Sequence, residues 1–416
     1  MGCSGGAESS ARLARTPRLP VGRNAAAPEA NSPLQVSFPL GIRKPSELER
    51  VDCIVVGAGV VGLACARALA LGGLQTVVLE AQERIGSGVS SRSSEVIHAG
   101  VYYAPGSHKA ALCVSGRRML YRYAAERGVP HRALGKLIVA CEDTQVAALS
   151  ELYARGMTNG VESLQLLEAG EATRLEPSLC CRAALHSRET GIVDSHALMV
   201  SLAGDLESAG GAIALRSPLQ HACRRNQAWE LTTGGAEEYR IACDVLVNAA
   251  GLSAQTVASG IEEYPRERIP ALHLARGNYF SLSTRAPFQR LIYPLPVDGG
   301  MGVHLTLDLA GFARFGPDVE WIDRIDYNVD PARVQTFTPS IRSYWPQLPD
   351  GALQPAYAGI RPKLSGPRQP LSDFLIDGPA EHGLGGLIQL FGFESPGLTS
   401  ALAVGEHVTQ IAMRQR

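Results

Sequence analysis

The chain has 416 residues, of which 45% are hydrophobic and 19% charged, the composition of an ordinary globular protein long enough for two domains sharing an interface. Its 39 basic and 40 acidic residues leave a net charge of -1, which excludes a general attraction to nucleic acid or anionic lipid; any anion must be recognised locally. The longest apolar run, Cys53 to Ala66, is broken by glycines and stopped by Arg67, too short to span a membrane, so a soluble or peripheral protein is expected.

In chain order, residues 1–50 come first and stand apart. From Met1 to Leu48, Ser, Gly, Ala and Pro are frequent, and Arg12, Arg15, Arg18, Arg23, Arg43 and Lys44 face only Glu8, Glu29 and Glu47. No periodicity is sustained, and the segment is expected to lie outside the fold. It reads as a mitochondrial transit peptide, as a disordered tail, or as the product of a start codon placed too far upstream. The start MGCSGG lacks the Ser or Thr at position six that myristoylation needs. The 9 cysteines show neither a CxxC pair nor zinc spacing, so they read as reduced core thiols in an intracellular protein, with no metal site.

VDCIVVGAGVVGLACARALALGGLQTVVLE, Val51 to Glu80, contains two short apolar runs around a glycine-rich turn. Between the runs, Val61, Leu63, Ala64, Ala66, Ala68 and Leu69 recur at helical spacing, so a strand, helix, strand unit is predicted. Gly57, Gly59 and Gly62 fit GxGxxG: the first permits a tight turn, the second lets the backbone approach a diphosphate, and the third packs helix on strand. The helix N-terminus then presents free amides to the phosphates. Glu80, ending the second run, can accept both ribose hydroxyls and disfavours a 2′-phosphate. This half of the fold is common to NAD and FAD.

The next stretch, SSRSSEVIHAGVYY, is a loop or helix start. Ser90, Ser91, Arg92 and Ser93 are suited to a second anionic or polar surface, or cap a helix with a surface arginine. VLVNAAG reads as a buried strand opening on Gly251, where backbone approaches a flat ligand, or as a helix end or turn. Near the C-terminus Ser395, Pro396, Gly397 and Leu398 start a helix of small residues, whose amides face a flavin ring or which only closes the core.

Nearly the whole chain from Val51 to about Val408 resembles the flavin-dependent L-2-hydroxyglutarate dehydrogenases of the D-amino-acid oxidase superfamily. The segments that carry the resemblance are SSRSSEVIHAGVYY, GKLIVA, TGIVDSH, LVNAAGLSA, YPLP, GVHLTLD, FGPDVEW, GIRPKLSGP and FGFESPGLTSALA, in that order. The resemblance implies FAD as cofactor, oxidation of L-2-hydroxyglutarate to 2-oxoglutarate, a quinone or electron-transfer flavoprotein as acceptor, and peripheral membrane association. For a eukaryotic chain the basic extension points to the mitochondrion, and otherwise to the bacterial cytoplasm or inner-membrane periphery. A relative acting on an amino acid, another 2-hydroxy acid or glycerol 3-phosphate is the alternative. A noncatalytic nucleotide-binding scaffold or redox sensor is the rival from another class.

The expected fold is α/β: a Rossmann-like FAD-binding domain over residues 51–134, 185–264 and 357–416, with a mostly antiparallel substrate domain over 135–184 and 265–356. Cofactor contacts are expected at Gly57, Gly59, Val60, Val61, Gly62, Glu80, Ala81, Ser90, Ser91, Arg92, Ser93, Ala250, Gly251, Ser395, Pro396, Gly397 and Leu398. Oxidising a hydroxy acid requires a base for the hydroxyl proton, and imidazole titrates near working pH. His98 and His304 are the candidates, and either could instead be a satisfied core histidine. A five-carbon dicarboxylate needs cationic clamps: Arg361 is preferred, followed by Lys363, Arg276 and Arg314, with hydroxyl bonds from Tyr103 and Thr306.

Overall fold

The computed structural model describes residues 48–236, 238–295 and 302–414. Residues 1–47 of the expected extension, and the Pro296 that ends YPLP, lie outside the described residues. Strand β1 (Glu49–Val56) is flanked in parallel by Tyr239–Asn248 on one side, with Val55 opposite Val247, and by β2 (Thr76–Leu79) on the other, with Val55 opposite Val78. Ala212–Ala214 extends the parallel set beyond β2, and Leu387–Phe391 adds to Tyr239–Asn248. An antiparallel hairpin, Leu219–Arg225 with Ala228–Thr233, and the strand Leu375–Asp377, antiparallel to Leu387–Phe391, complete the sheet.

The strands read as continuous apolar runs because helices cover them. Helix α1 (Val60–Leu71) packs against the C-terminal helix Gly397–Met413, whose small residues permit near contact of the backbones. A Cβ at Gly405 would stand 2.5 Å from the Ala64 carbonyl oxygen.

A small antiparallel sheet follows, in which Gly191–Val193 is flanked by β3 (Val96–Ile97) and, after helix α2 (His108–Arg127), by β4 (His131–Arg132). The large second sheet begins with β5 (Lys136–Ala140). It pairs antiparallel with Ala183–Ser187 and parallel with Leu291–Pro294, its one parallel pairing among the described residues. The remaining ladder runs through Leu305–Leu307, Ala313–Phe315 and His273–Leu282 to Leu353–Lys363. HLARGNYFSLS and GVHLTLDLAGFARFGP are therefore neighbours, with Phe280 opposite Phe315.

The second sheet outruns the limits at 184 and 356 expected from sequence. Leu185 pairs with Ile138, and Arg361 pairs with Ala275, so both expected boundaries cut through strands whose ladders continue. Residues 48–414 fall within one compact unit. Alternation along β5 sends Leu137 and Val139 into a core with Phe280 and Phe315. Ile138 and Ala140 face the opposite way, into a core with Val96, Ala99, Val101 and Tyr293. That second face brackets the segment carrying His98.

Candidate active site

At the glycine-rich turn, Gly57 adopts φ +105°, and a Cβ there would lie 2.7 Å from the Ala249 carbonyl oxygen. A Cβ at Gly62 would collide with the Gly57 carbonyl oxygen. Ser90 Oγ accepts the Val60 amide at 3.0 Å, which puts this serine over the N-terminus of α1. Glu80 receives the Ala58 amide at 2.7 Å on one carboxylate oxygen and the Gln82 amide at 2.8 Å on the other. Each oxygen retains a lone pair, so the acid is oriented but not saturated. Ala81, Val61, Ala250 and Gly251 lie in the turns and helix start around this cradle.

The other residues of the serine-rich stretch do different work. Arg92 stacks on the Tyr327 ring, 3.9 Å from its centroid, and reaches the Ala358 carbonyl at 3.4 Å, which turns its charge toward the second sheet. Ser91 is exposed and bonds the Gly88 carbonyl, while Ser93 Oγ accepts the Glu95 amide. Of these four, Ser90 is the one whose side chain bonds an amide of α1.

β3 delivers His98 to the start of the C-terminal helix. The His98 amide donates to Thr399 Oγ1 at 3.0 Å, and Thr399 Oγ1 donates to the Val96 carbonyl at 3.2 Å. The His98 Nε2 lies 3.2 Å from Ser395 Oγ. Part of the histidine's surface meets solvent, yet the protein enclosing it, followed by the Lys136 charge, lowers its pKa to about 3. It is therefore a neutral imidazole. Ser395, Pro396, Gly397 and Leu398 run from this contact into the 17-residue helix, whose first-turn amides face the same region. Burial raises the Tyr103 phenol far above its ordinary value, and Ser395 offsets part of that rise.

The second sheet supplies the opposing wall. The His304 imidazole stacks on Tyr293 with ring centroids 3.6 Å apart and planes 7° from parallel. Burial, then the charges of Lys136 and Arg361, hold it well below the ordinary histidine value. Lys136, missed in the sequence, is 1% exposed on β5, with its ammonium 4.4 Å from the Tyr293 ring centroid and 4.9 Å from that of Tyr102. That ammonium makes no hydrogen bond or ion pair among the described residues, and burial lowers its pKa to about 7. Two ring faces return about 1–4 kcal/mol, less than or comparable to the several kcal/mol that burying an ammonium removes. Thr306 Oγ1 is buried beside the Tyr293 hydroxyl without a bond of proper geometry.

Among the expected clamps, Arg361 has no carboxylate partner within the described residues; its Nη2 donates to the Asp318 carbonyl at 3.0 Å. The other three are already committed. Arg276 pairs with Glu320 and Asp326, each at 2.9 Å, and Arg314 with Glu95 at 2.8 Å. Lys363 lies 2.9 Å from Glu394, which Lys109 also approaches at 3.1 Å. A guanidinium or ammonium held by an internal carboxylate has little charge to offer a ligand. Arg276, Arg314 and Lys363, expected at the substrate, are each paired with an internal acid, whereas Arg361 is not.

A family model described as FAD dependent oxidoreductase matches residues 52–411. The mitochondrial L-2-hydroxyglutarate dehydrogenase of Arabidopsis thaliana is 44% identical over 88% of this chain and 84% of its own. The chain belongs to this family of FAD-dependent oxidoreductases, among the L-2-hydroxyglutarate dehydrogenases. The Homo sapiens protein of the same name is 34% identical over 64% of this chain and 60% of its own. The fold matches the FAD-bound L-α-glycerophosphate oxidase of Mycoplasma pneumoniae, at TM-score 0.78 and 22% identity over 88% of this chain and 95% of that one. Glycine oxidase of Geobacillus kaustophilus follows at TM-score 0.72 and 20% identity, over 88% and 96%.

The cofactor of the family is FAD, and the cradle fits it. Glycines stand where a Cβ would obstruct a diphosphate turn, an oriented carboxylate ends β2, and two helix N-termini converge on one region.

Proposed function

We propose that this chain oxidises L-2-hydroxyglutarate to 2-oxoglutarate. What carries the reading is the 44% identity to a dehydrogenase of that name over 88% of the chain. FAD, when bound, supplies the two-electron acceptor for the hydrogen on substrate C2. The turn at Gly57, Gly59 and Gly62, with Val60, Val61, Ala81, Glu80 and Ser90, would hold its dinucleotide part. Ala250, Gly251 and the Ser395 to Leu398 segment would face its ring.

His98 is the proton acceptor in this reading. Its imidazole is neutral, so one ring nitrogen has a lone pair, and in the tautomer that leaves it on Nε2, beside Ser395 Oγ, that nitrogen can take the C2 hydroxyl proton. His304, stacked face to face on Tyr293, is held in place and shapes the pocket. Arg361 binds a substrate carboxylate, because its guanidinium has no internal acid to neutralise it. Tyr103 and Thr306 supply hydroxyl contacts. A quinone or electron-transfer flavoprotein takes the electrons onward, and the mitochondrion is the proposed compartment because the relatives are named as mitochondrial enzymes. No described helix is long and apolar enough to cross a bilayer.

Anaerobic bleaching of the purified yellow protein tests the substrate. L-2-hydroxyglutarate is expected to remove the flavin absorbance, and an oxidised flavin that instead bleaches with an amino acid or glycerol 3-phosphate would replace the reading.

A further inference from the structure

Two cations of the second sheet lack an internal carboxylate and act on the same imidazole: Arg361 and Lys136 both lower the His304 pKa. They reach it from different strands, Leu353–Lys363 and β5, which lie on opposite sides of the strand pairs between them. The Lys136 ammonium is fixed in place by the Tyr102 and Tyr293 rings and is almost wholly buried. Tyr293 links it to the site, because the other face of that ring is covered by His304. An ammonium so placed is desolvated without an anion to compensate it.

We propose that Lys136 is the second carboxylate site of the substrate pocket, taking the substrate carboxylate that Arg361 does not hold and so selecting dicarboxylates over monocarboxylates. This rests on the reading of L-2-hydroxyglutarate as substrate. Position favours this role over a purely structural one, since a buried structural lysine finds an acid. Lys363 and Lys109 do so at Glu394 in the same protein. Chemistry adds a second consequence. The buried ammonium releases its proton near pH 7, and a carboxylate arriving beside it restores the charge, so binding takes up a proton above that pH.

The test compares the wild-type holoenzyme with Lys136→Met and Lys136→Arg, using L-2-hydroxyglutarate and its C5 amide, which has the same shape without the distal charge. Flavin bleaching by L-2-hydroxyglutarate in the wild type first secures the substrate, so failure there is separable from failure of the proposal. Lys136→Met should lower the kcat/KM preference for the diacid over the amide by about 10- to 100-fold, and Lys136→Arg should restore part of it. Calorimetry with glutarate on the wild type at about pH 8 should show proton uptake through heats that depend on the buffer. An equal loss on both substrates in Lys136→Met, or buffer-independent heats in the wild type, would overturn the assignment. The wild-type calorimetry decides even where the variants do not fold.

Discussion

His98 Nε2 lies 3.2 Å from Ser395 Oγ, although the two residues are 297 positions apart in the chain. The pairing joins the end of β3 to the start of the C-terminal helix, and the Thr399 hydroxyl fastens the same backbone from the other side. A base held this way is oriented before substrate arrives. His98→Asn should therefore slow anaerobic flavin reduction by about 10²- to 10⁴-fold while the protein stays yellow. In the wild type, the rate at saturating substrate should not fall between about pH 8 and 5 by protonation of this imidazole, which is held neutral down to about 3. Unchanged reduction in the variant would move the role to His304.

Two of the three arginines expected as clamps, Arg361 and Arg276, should separate cleanly. Arg361→Ala removes a guanidinium without an internal acid and should raise KM about 10- to 100-fold. Arg276→Ala strands Glu320 and Asp326, so it should cost about 1–3 kcal/mol in urea denaturation and leave KM within about twofold. A steep rise in KM for Arg276→Ala would return it to the substrate site.

Glu394 sits between two buried ammonium groups immediately before Ser395. Burial alone would raise its pKa, but the Lys109 and Lys363 charges hold it below the ordinary value. A depressed carboxyl stabilises the fold above its unfolded pKa and loses that contribution as pH falls toward the folded value. Glu394→Ala leaves two uncompensated cations and should cost about 3–5 kcal/mol, whereas Lys363→Met should cost less because the Lys109 pair persists. Equal costs in denaturant titrations would show that the shared carboxylate is not what holds this cluster.

Gly62→Ala tests the cradle, because the new methyl would collide with the Gly57 carbonyl oxygen and push the turn away from α1. The variant should purify with little flavin, read from the ratio of visible to ultraviolet absorbance. Full flavin content would show that the turn can open without losing the cofactor.

How much of this could be read from the sequence depended on distance along the chain. The cradle was legible because its glycines, helix and acid all lie between Gly57 and Glu80, within one supersecondary unit whose periodicity is local. His98 was legible through the motif around it, but its Ser395 partner was not paired with it by any local pattern. Lys136 was missed because GKLIVA looks like a strand with a solvated end. Its burial comes from Leu291 and Ser187, which pair with it from other segments. The arginine pairings were not legible for the same reason: residue type marks a possible clamp, but only the fold reveals that Arg276 meets Glu320 and Arg314 meets Glu95.

Lys136 also makes stability depend on pH in a way that can be measured directly. An unfolded lysine titrates near 10.4, and burial lowers this one to about 7. Between these values the unfolded chain binds more protons than the folded one, so this group makes the fold more stable as pH rises from about 7 to 10. Below about 7 both states are charged and the full cost of burial remains, on the order of a few kcal/mol. Denaturant midpoints of the holoenzyme at about pH 7 and 9 isolate the effect by difference. The wild type should gain more stability over that interval than Lys136→Met, which has no proton to lose. Parallel changes in the two proteins would mean that Lys136 keeps an ordinary pKa in the folded state.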